Sequence, residues 1–267
     1  MTPLQQLRLD RPEQVTTLAV FFGQQSLLLL TARGSGMRFE ITHGPSFALL
    51  KVCMEPQESL TCEAGAMVTR SCQLQMKTRP NADASAGFWG TIWALCVAFI
   101  RKLIGGETFF VNDFSAKSEP CSLTLAPALA GQIVHHRLEN QRILLQPGAY
   151  LASSPSLRMR LRWGGLRGIL AREGLVFLEV SGTGDLFMNA YGGIQSVPIA
   201  GSFVVDNGHI VAFDGTLDFK ITSPGGGAIG LFASGEGLVC TFTGTGNVYI
   251  QSRNLHALTE WLLRLSP

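Results

Sequence analysis

Gly148-Ala-Tyr-Leu-Ala-Ser-Ser-Pro-Ser-Leu157-Arg158-Met159-Arg160-Leu161-Arg162-Trp163 is the stretch that decides the fold. A glycine leads it, and from Leu157 onward apolar and charged residues alternate, the period-two pattern of a strand with one buried face. The same offsets occur twice more. Leu74 and Met76 follow Gly65 by nine and eleven positions, and Leu217 and Phe219 follow Gly208 by the same steps. Their neighbours are polar: Gln73, Gln75 and Lys77 in one copy, Thr216, Asp218 and Lys220 in the other. Each glycine is expected in the turn that feeds the strand, where positive φ costs it little.

A second landmark follows. Arg172-Glu173-Gly174-Leu175-Val176-Phe177 runs into Gly182-Thr183-Gly184, and Gly235-Glu236-Gly237-Leu238-Val239-Cys240 runs into Gly244-Thr245-Gly246. The two glutamates are 63 apart and the two GTG triplets 62, the slip that a β-bulge leaves in sequence. Gly105-Gly106-Glu107-Thr108-Phe109-Phe110 holds the matching place in the first copy. There the glycine-to-glutamate distance is 42 residues against 25 and 28 in the others, which marks an insertion. The reading is therefore all-β: a double-stranded β-helix-like or β-sandwich fold of three diverged units, about 37–125, 126–197 and 198–253. Residues 1–36 form an extension outside it, and Met37-Arg38-Phe39-Glu40-Ile41 opens the first strand. A helix over 254–265 is expected to follow, capped by Asn254, with Leu255, Leu258, Trp261, Leu262 and Leu265 at helical spacing. Its expected role is to cover a sheet face or a subunit seam.

Composition limits the function. Of 267 residues 46% are hydrophobic and only 15% charged, so the chain is ordered and some apolar surface is expected in subunit or membrane contacts. The net charge of +2 lacks the basic excess of a nucleic-acid binder. Cys53, Cys62, Cys72, Cys96, Cys121 and Cys240 form no C-x-x-C pair and read as reduced structural thiols of a cytosolic-type compartment. The N-terminus has neither a clean cationic lead-in nor the acid-poor composition of a transit peptide.

Several pieces in order resemble the altered-inheritance-of-mitochondria (mitochondrial biogenesis) family, in its bacterial branch of unknown function. They are Glu63-Ala-Gly-Ala-Met-Val68, Gly105-Gly-Glu107 with Phe110, Leu125-Ala-Pro127, Gly182-Thr-Gly184, Val205-Asp-Asn-Gly-His209 and Gly244-Thr-Gly-Asn-Val-Tyr-Ile-Gln-Ser252. The resemblance covers about residues 37–267. It implies an all-β fold related to double-stranded β-helices and grouped with the tryptophan RNA-binding attenuation protein, and a homo-oligomer with a trimer favoured. It transfers no catalytic residue.

The candidate chemistry is sparse. His135 and His136 are adjacent, so on a strand they point to opposite faces and cannot share a metal; with no H-x-H present, no metal or other cofactor is expected. No G-x-S-x-G elbow or catalytic cysteine frame occurs, and Ser153-Ser154 has no local base. The GTG triplets and Gly225-Gly226-Gly227 do not fit a phosphate loop and read as hairpin turns. Arg158, Arg160 and Arg162 share one strand face about 13 Å long, with Trp163, Arg167 and Arg172 nearby, a candidate anion-binding row for lipid headgroups or RNA. The plainer reading is a solvated face.

Phe88-Trp-Gly-Thr-Ile-Trp-Ala-Leu-Cys-Val-Ala-Phe-Ile100, followed by Arg101-Lys102, is a nearly uncharged run within an insert over 88–104. It is shorter than the roughly 20 residues of a spanning helix. Phe88, Trp89, Trp93 and Phe99, with Trp261 of the C-terminal helix, form a candidate interface, buried in the fold, between subunits or on a membrane. The expected function is a non-enzymatic oligomeric β scaffold or interaction protein, cytoplasmic or peripheral at a membrane, with an unknown protein partner and nucleic acid disfavoured. The alternative is a small-ligand, nucleic-acid or anionic-lipid module built on the arginine row.

Overall fold

The computed structural model describes residues 32–33, 37–80, 110–163, 176–222 and 238–265. Two strands lead in, β1 (Ala32–Arg33) and β2 (Arg38–Thr42). Unit 1 then holds β3 (Leu49–Met54), β4 (Ser59–Glu63), β5 (Met67–Arg70), β6 (Gln75–Pro80), β7 (Phe110–Ser115) and β8 (Cys121–Leu125). Unit 2 holds β9 (Ile133–Leu145), β10 (Tyr150–Ser153), β11 (Arg158–Trp163) and β12 (Val176–Asn189). Unit 3 repeats it with β13 (Ile194–Asp206), β14 (Ile210–Asp214), β15 (Asp218–Thr222) and β16 (Val239–Gln251). Helix α1 (Leu255–Leu265) closes the described chain. The third unit begins at Ile194, ahead of the expected 198: Pro198 lies inside β13, which is an edge strand and tolerates the missing donor.

All pairing among named strands is antiparallel. Within a unit the long first strand pairs the long fourth along its length, as β9 with β12 and β13 with β16. The other edge of the fourth strand takes the third strand and then the second: β11 and β10 lie on β12, β15 and β14 on β16. In unit 1 both long strands are split, so β6 and β4 lie on β7 while β5 and β3 lie on β8. The result is an eleven-stranded and a five-stranded sheet.

The second strand carries a register shift at the same step in all three units, between Met67 and Thr69, Tyr150 and Ala152, and Ile210 and Ala212. Three units of one design are thus present, as the glycine spacing predicts. Leu74, Leu157 and Leu217, the anchors of the alternation, are each 5% exposed or less.

Two expectations about glycine are corrected. Gly65 and Gly148 have φ of +93° and +85°, but Gly208 is not in that region; a Cβ there would lie 2.2 Å from the Asn254 amide nitrogen, so the need is for space. The GTG triplets are not hairpin turns. They lie in the middle of β12 and β16, where Gly182 and Gly244 take φ of +123° and +119°. The second glycine of each lets a neighbouring turn approach: a Cβ on Gly184 would lie 2.8 Å from Ser156 Oγ, and one on Gly246 2.9 Å from Thr216 Oγ1. The Glu173/Glu236 slip falls upstream of Phe177, outside the described residues. The register shift that accompanies Gly182 is instead taken up on β9, where Asn140 has φ of +55°.

The core runs through the sheets in three clusters that cross unit boundaries. Phe187 and Leu151 of unit 2 pack with Leu50, Leu60 and Phe114 of unit 1, and Leu144 and Phe177 of unit 2 pack with Phe213 and Phe242 of unit 3. The rings of Phe177, Phe213, Phe219 and Phe242 meet at centroid distances of 4.9–5.2 Å.

Candidate functional site

Units join by one device used twice. The second strand of each later unit lays its free edge on the first strand of the unit before it: Ala152 opposite Cys62 and Ser153 opposite Thr61 from β10 to β4, then Ala212 opposite Leu145 and Phe213 opposite Leu144 from β14 to β9. Hydrogen-bonded polar side chains, those of Asp185 and Asp214 among them, lie beside these junctions.

A tight turn precedes each third strand. The carbonyl of its first residue accepts the backbone N–H of the fourth: Ser71 from Leu74, Ser154 from Leu157 and Asp214 from Leu217, at 3.0–3.1 Å. The first side chain also ties the turn to the fourth strand. Ser71 Oγ accepts Ser122 N at 2.8 Å, Ser154 Oγ accepts Asp185 N at 2.9 Å, and Asp214 Oδ2 accepts Asn247 N at 2.8 Å. The recurring [Ser/Asp]-x-x-Leu before each alternating strand is the sequence signal for this clamp, and the sequence reading passed over it.

Asp185 is the centre of the first junction. Its carboxylate accepts His135 Nε2 and Arg137 Nη1, each at 2.9 Å, with Ser154 Oγ at 3.5 Å. Burial pushes this carboxyl up, but the hydrogen bonds and charges of His135 and Arg137 outweigh that and hold it below its ordinary value. Serine, histidine and aspartate meet here without forming a nucleophile: the serine bonds the carboxylate, and the His135 ring packs against Phe39 and Phe187. His136 points to the opposite face, as the strand geometry requires, and meets Tyr249. Burial lowers the His136 pKa, opposed by Asp214 and reinforced by His135. The Cys62 thiol and Tyr150 hydroxyl are pushed well up by burial, and Tyr150 Oη donates to the Thr61 carbonyl. Among the described residues no group of three or more His, Cys, Asp or Glu is placed to hold a metal.

Beside the second junction lies a groove of about 960 Å³, lined by His136, Arg142, Arg158, Asp214, Asp218 and Asn247 among others. Arg142 spends its guanidinium on the Gly215 carbonyl, donating from Nε and Nη2 at 3.0 and 2.7 Å. Arg158, Arg160 and Arg162 do share an exposed face of β11, with Met159 and Leu161 half-buried behind them. The row is partly neutralised, because Arg162 forms a two-pronged pair with the buried Glu179 carboxylate at 2.9 and 3.3 Å.

Trp261 is 57% exposed on α1, a helix with no buried residue that does not cover its own sheets. Asn254 caps it as predicted, its Oδ1 accepting His256 N at 2.9 Å. Phe88, Trp89, Trp93 and Phe99, with the whole 88–104 insert, lie outside the described residues, as do Arg167 and Arg172. The strands that bracket the insert form a hairpin, with Pro80 opposite Phe110. Cys62, Cys121 and Cys240 are free and buried, while Cys53 and Cys72 are free and exposed, the first at an outward position of β3 and the second in the Ser71 turn; Cys96 lies outside the described residues.

The mitochondrial biogenesis AIM24 family model matches residues 39–253, nearly the whole repeated body. The chain belongs to this family. An uncharacterized protein of Streptococcus pyogenes serotype M6 is 30% identical over 234 residues, covering 86% of this chain and 92% of that one. A Streptococcus pyogenes protein solved by X-ray crystallography superimposes with a TM-score of 0.69 at 29% identity, over 86% of this chain and 99% of its own. The family match spans all three units and both junctions, and it stops at Arg253, so the exposed helix α1 lies beyond it.

Proposed function

We propose that this AIM24 family member is a non-enzymatic, oligomeric β scaffold that acts by contact. The observation that carries the reading is α1. Its eleven residues put Leu255, Trp261, Leu262 and Leu265 at 45–62% exposure, an apolar stripe that the described residues do not bury. Leaving such a stripe in water forfeits about 25 cal/mol per Å² of apolar area, so the helix is built for a second surface. The ionisable groups at the unit junctions support the non-enzymatic part. Asp185, His135, Arg137, Asp214 and Arg142 are each tied to structural partners, which leaves no converging acid, base and nucleophile among them. A closed stack of the double-stranded β-helix kind, akin to the tryptophan RNA-binding attenuation protein and assembled as a trimer, is the form this scaffold takes in our proposal.

The test compares the intact chain with Trp261→Ser/Leu262→Ser by native mass, by co-purification from cells and by sedimentation with anionic vesicles. Loss of one association in the variant supports the scaffold and names its partner class. An intact chain that is monomeric and binds nothing in all three assays overturns it. Among the described residues no helix is long and apolar enough to cross a membrane.

A second reading has one observation behind it: Arg158 stands on both the exposed arginine face and the wall of the 960 Å³ groove. An anionic small molecule, lipid headgroup or RNA would then bind with an affinity that falls steeply with salt. Affinity unchanged by Arg158→Ser/Arg160→Ser sinks that reading.

A further inference from the structure

We infer that the free edge of β5 in one copy of this chain pairs with the free edge of β13 in a second copy, joining chains head to tail. The inference rests on the oligomeric part of the reading above and assigns the surface that makes the oligomer.

The described residues make the same junction twice and leave both halves of a third unused. β10 and β14, the second strands of units 2 and 3, pair on both edges, and every residue from Tyr150 to Ser153 and from Ile210 to Phe213 is buried. β5 is the same strand in unit 1. It carries the same register shift and pairs β8 as β10 pairs β12, yet among the described residues no strand lies on its other edge and all four of its residues are exposed. Met67 and Val68 stand 39% and 51% open, where their counterparts Tyr150 and Leu151 are 1% and 0%.

The complementary half lies at the other end of the array. β4 and β9 each receive a second strand from the following unit; among the described residues β13 is the terminal strand of its sheet, bonded to β16 and receiving no second strand. The equivalent positions fix a register. Cys62 on β4 and Leu145 on β9 correspond to Val205 on β13, and Ala152 and Ala212 correspond to Thr69 on β5. Thr69 is therefore set opposite Val205 and Arg70 opposite Val204, antiparallel, as Ala152 faces Cys62 and Ser153 faces Thr61.

Edge protection on β13 agrees with this placement. Exposed edges are usually guarded by proline, bulges or charge. Pro198 and Gly201, the latter at φ +124°, interrupt the first two thirds of β13. The segment Phe203-Val204-Val205 has no such guard, and Val204 is 57% exposed there. The unguarded segment is the one the internal junctions mark for pairing. Because the two surfaces differ, the contact is heterologous and builds a ring when its rotation closes.

The experiment uses the full chain, measured by native mass, in three forms. The first is the intact chain. The second is Val204→Lys, which puts a charge on the edge without touching the β16 face. The third is Thr69→Cys/Val205→Cys in a Cys53→Ser/Cys72→Ser background, exposed to mild oxidant. The expected result is an assembly from the intact chain, at least a tenfold shift toward monomer with Val204→Lys, and a ladder of disulfide-linked chains from the cysteine pair. An assembly that survives Val204→Lys and yields no ladder overturns the β5–β13 contact while leaving an oligomeric scaffold standing on some other surface. A chain that is monomeric at tens of micromolar overturns both. Thermal unfolding that matches the intact chain shows that Val204→Lys acts on the contact and not on folding.

Discussion

Unit 1 and units 2 and 3 carry one strand plan and end in different environments. In units 2 and 3 the fourth strand runs unbroken for fourteen and thirteen residues, because glycines at its middle let it pass under the turn that precedes the third strand. In unit 1 the position of Gly184 is held by Cys121, and the strand breaks there into β7 and β8. The second strand is buried in units 2 and 3 and naked in unit 1, although Met67-Val68 is as apolar as Tyr150-Leu151. Burial in a repeat is therefore set by the neighbouring unit as much as by the unit's own pattern.

The largest expected effect probes the cluster shared by units 2 and 3. Phe213→Ala removes a fully buried ring that meets three others, and is expected to cost about 4 kcal/mol in denaturant unfolding. Met67→Ala on the open β5 should cost less than about 1 kcal/mol in the monomer. Equal costs would mean that β5 is covered within its own chain, and the contrast between the units would fail.

Two glycines sharpen the strand contrast by separating space from backbone conformation. Gly184→Ala sets a methyl 2.8 Å from Ser156 Oγ and 2.9 Å from Ser154 Cβ, so about 2 kcal/mol is expected from overpacking. Gly201→Ala has nothing within 4 Å and only its φ of +124° to oppose it, so about 1 kcal/mol is expected. If the order reverses in parallel melts, the second glycine of GTG is not there to admit the turn.

The three-unit plan, the alternation and the helix cap were legible because each follows from local chemistry: period-two burial at Leu157-Arg158-Met159, and an asparagine before an apolar helical stripe. The GTG triplets were misread because two glycines with a threonine between them look alike in a hairpin and in a strand that must admit a neighbour. The Asp185 cluster was not legible. Its members lie 48 and 50 residues apart in sequence and meet only through the pairing of β9 with β12. Nor does any pattern in Met67-Val68-Thr69-Arg70 say that this second strand would lack a neighbour.

The two closed junctions differ in charge, which gives them different responses to acid. At the first, Asp185 binds His135 and Arg137; at the second its place is taken by Asn247, which donates to Asp214. Asp185→Asn is expected to cost about 2 kcal/mol at neutral pH, the range for hydrogen bonds to a charged group. The native carboxyl lies below its ordinary value of 3.8, so its stabilisation is present above that value and disappears as pH falls through it to the native one. The Asn variant should therefore lose stability at pH 7 and converge on the parent as the pH is taken well below 3.8. A constant gap down the whole acid limb would show that Asp185 acts by shape alone.

His136 gives the smallest effect, in a different window. Its native pKa is lowered from 6.5, so the folded chain holds fewer protons on this ring than the unfolded chain does. Stability from this source is complete above pH 6.5 and declines as pH falls through 6.5 toward the native value. His136→Gln should flatten the decline that begins as pH falls through 6.5 and leave the loss that begins below 3.8 in place. An unchanged slope just below pH 6.5 would mean that Asp214, whose charge favours the protonated ring, has cancelled the effect of burial.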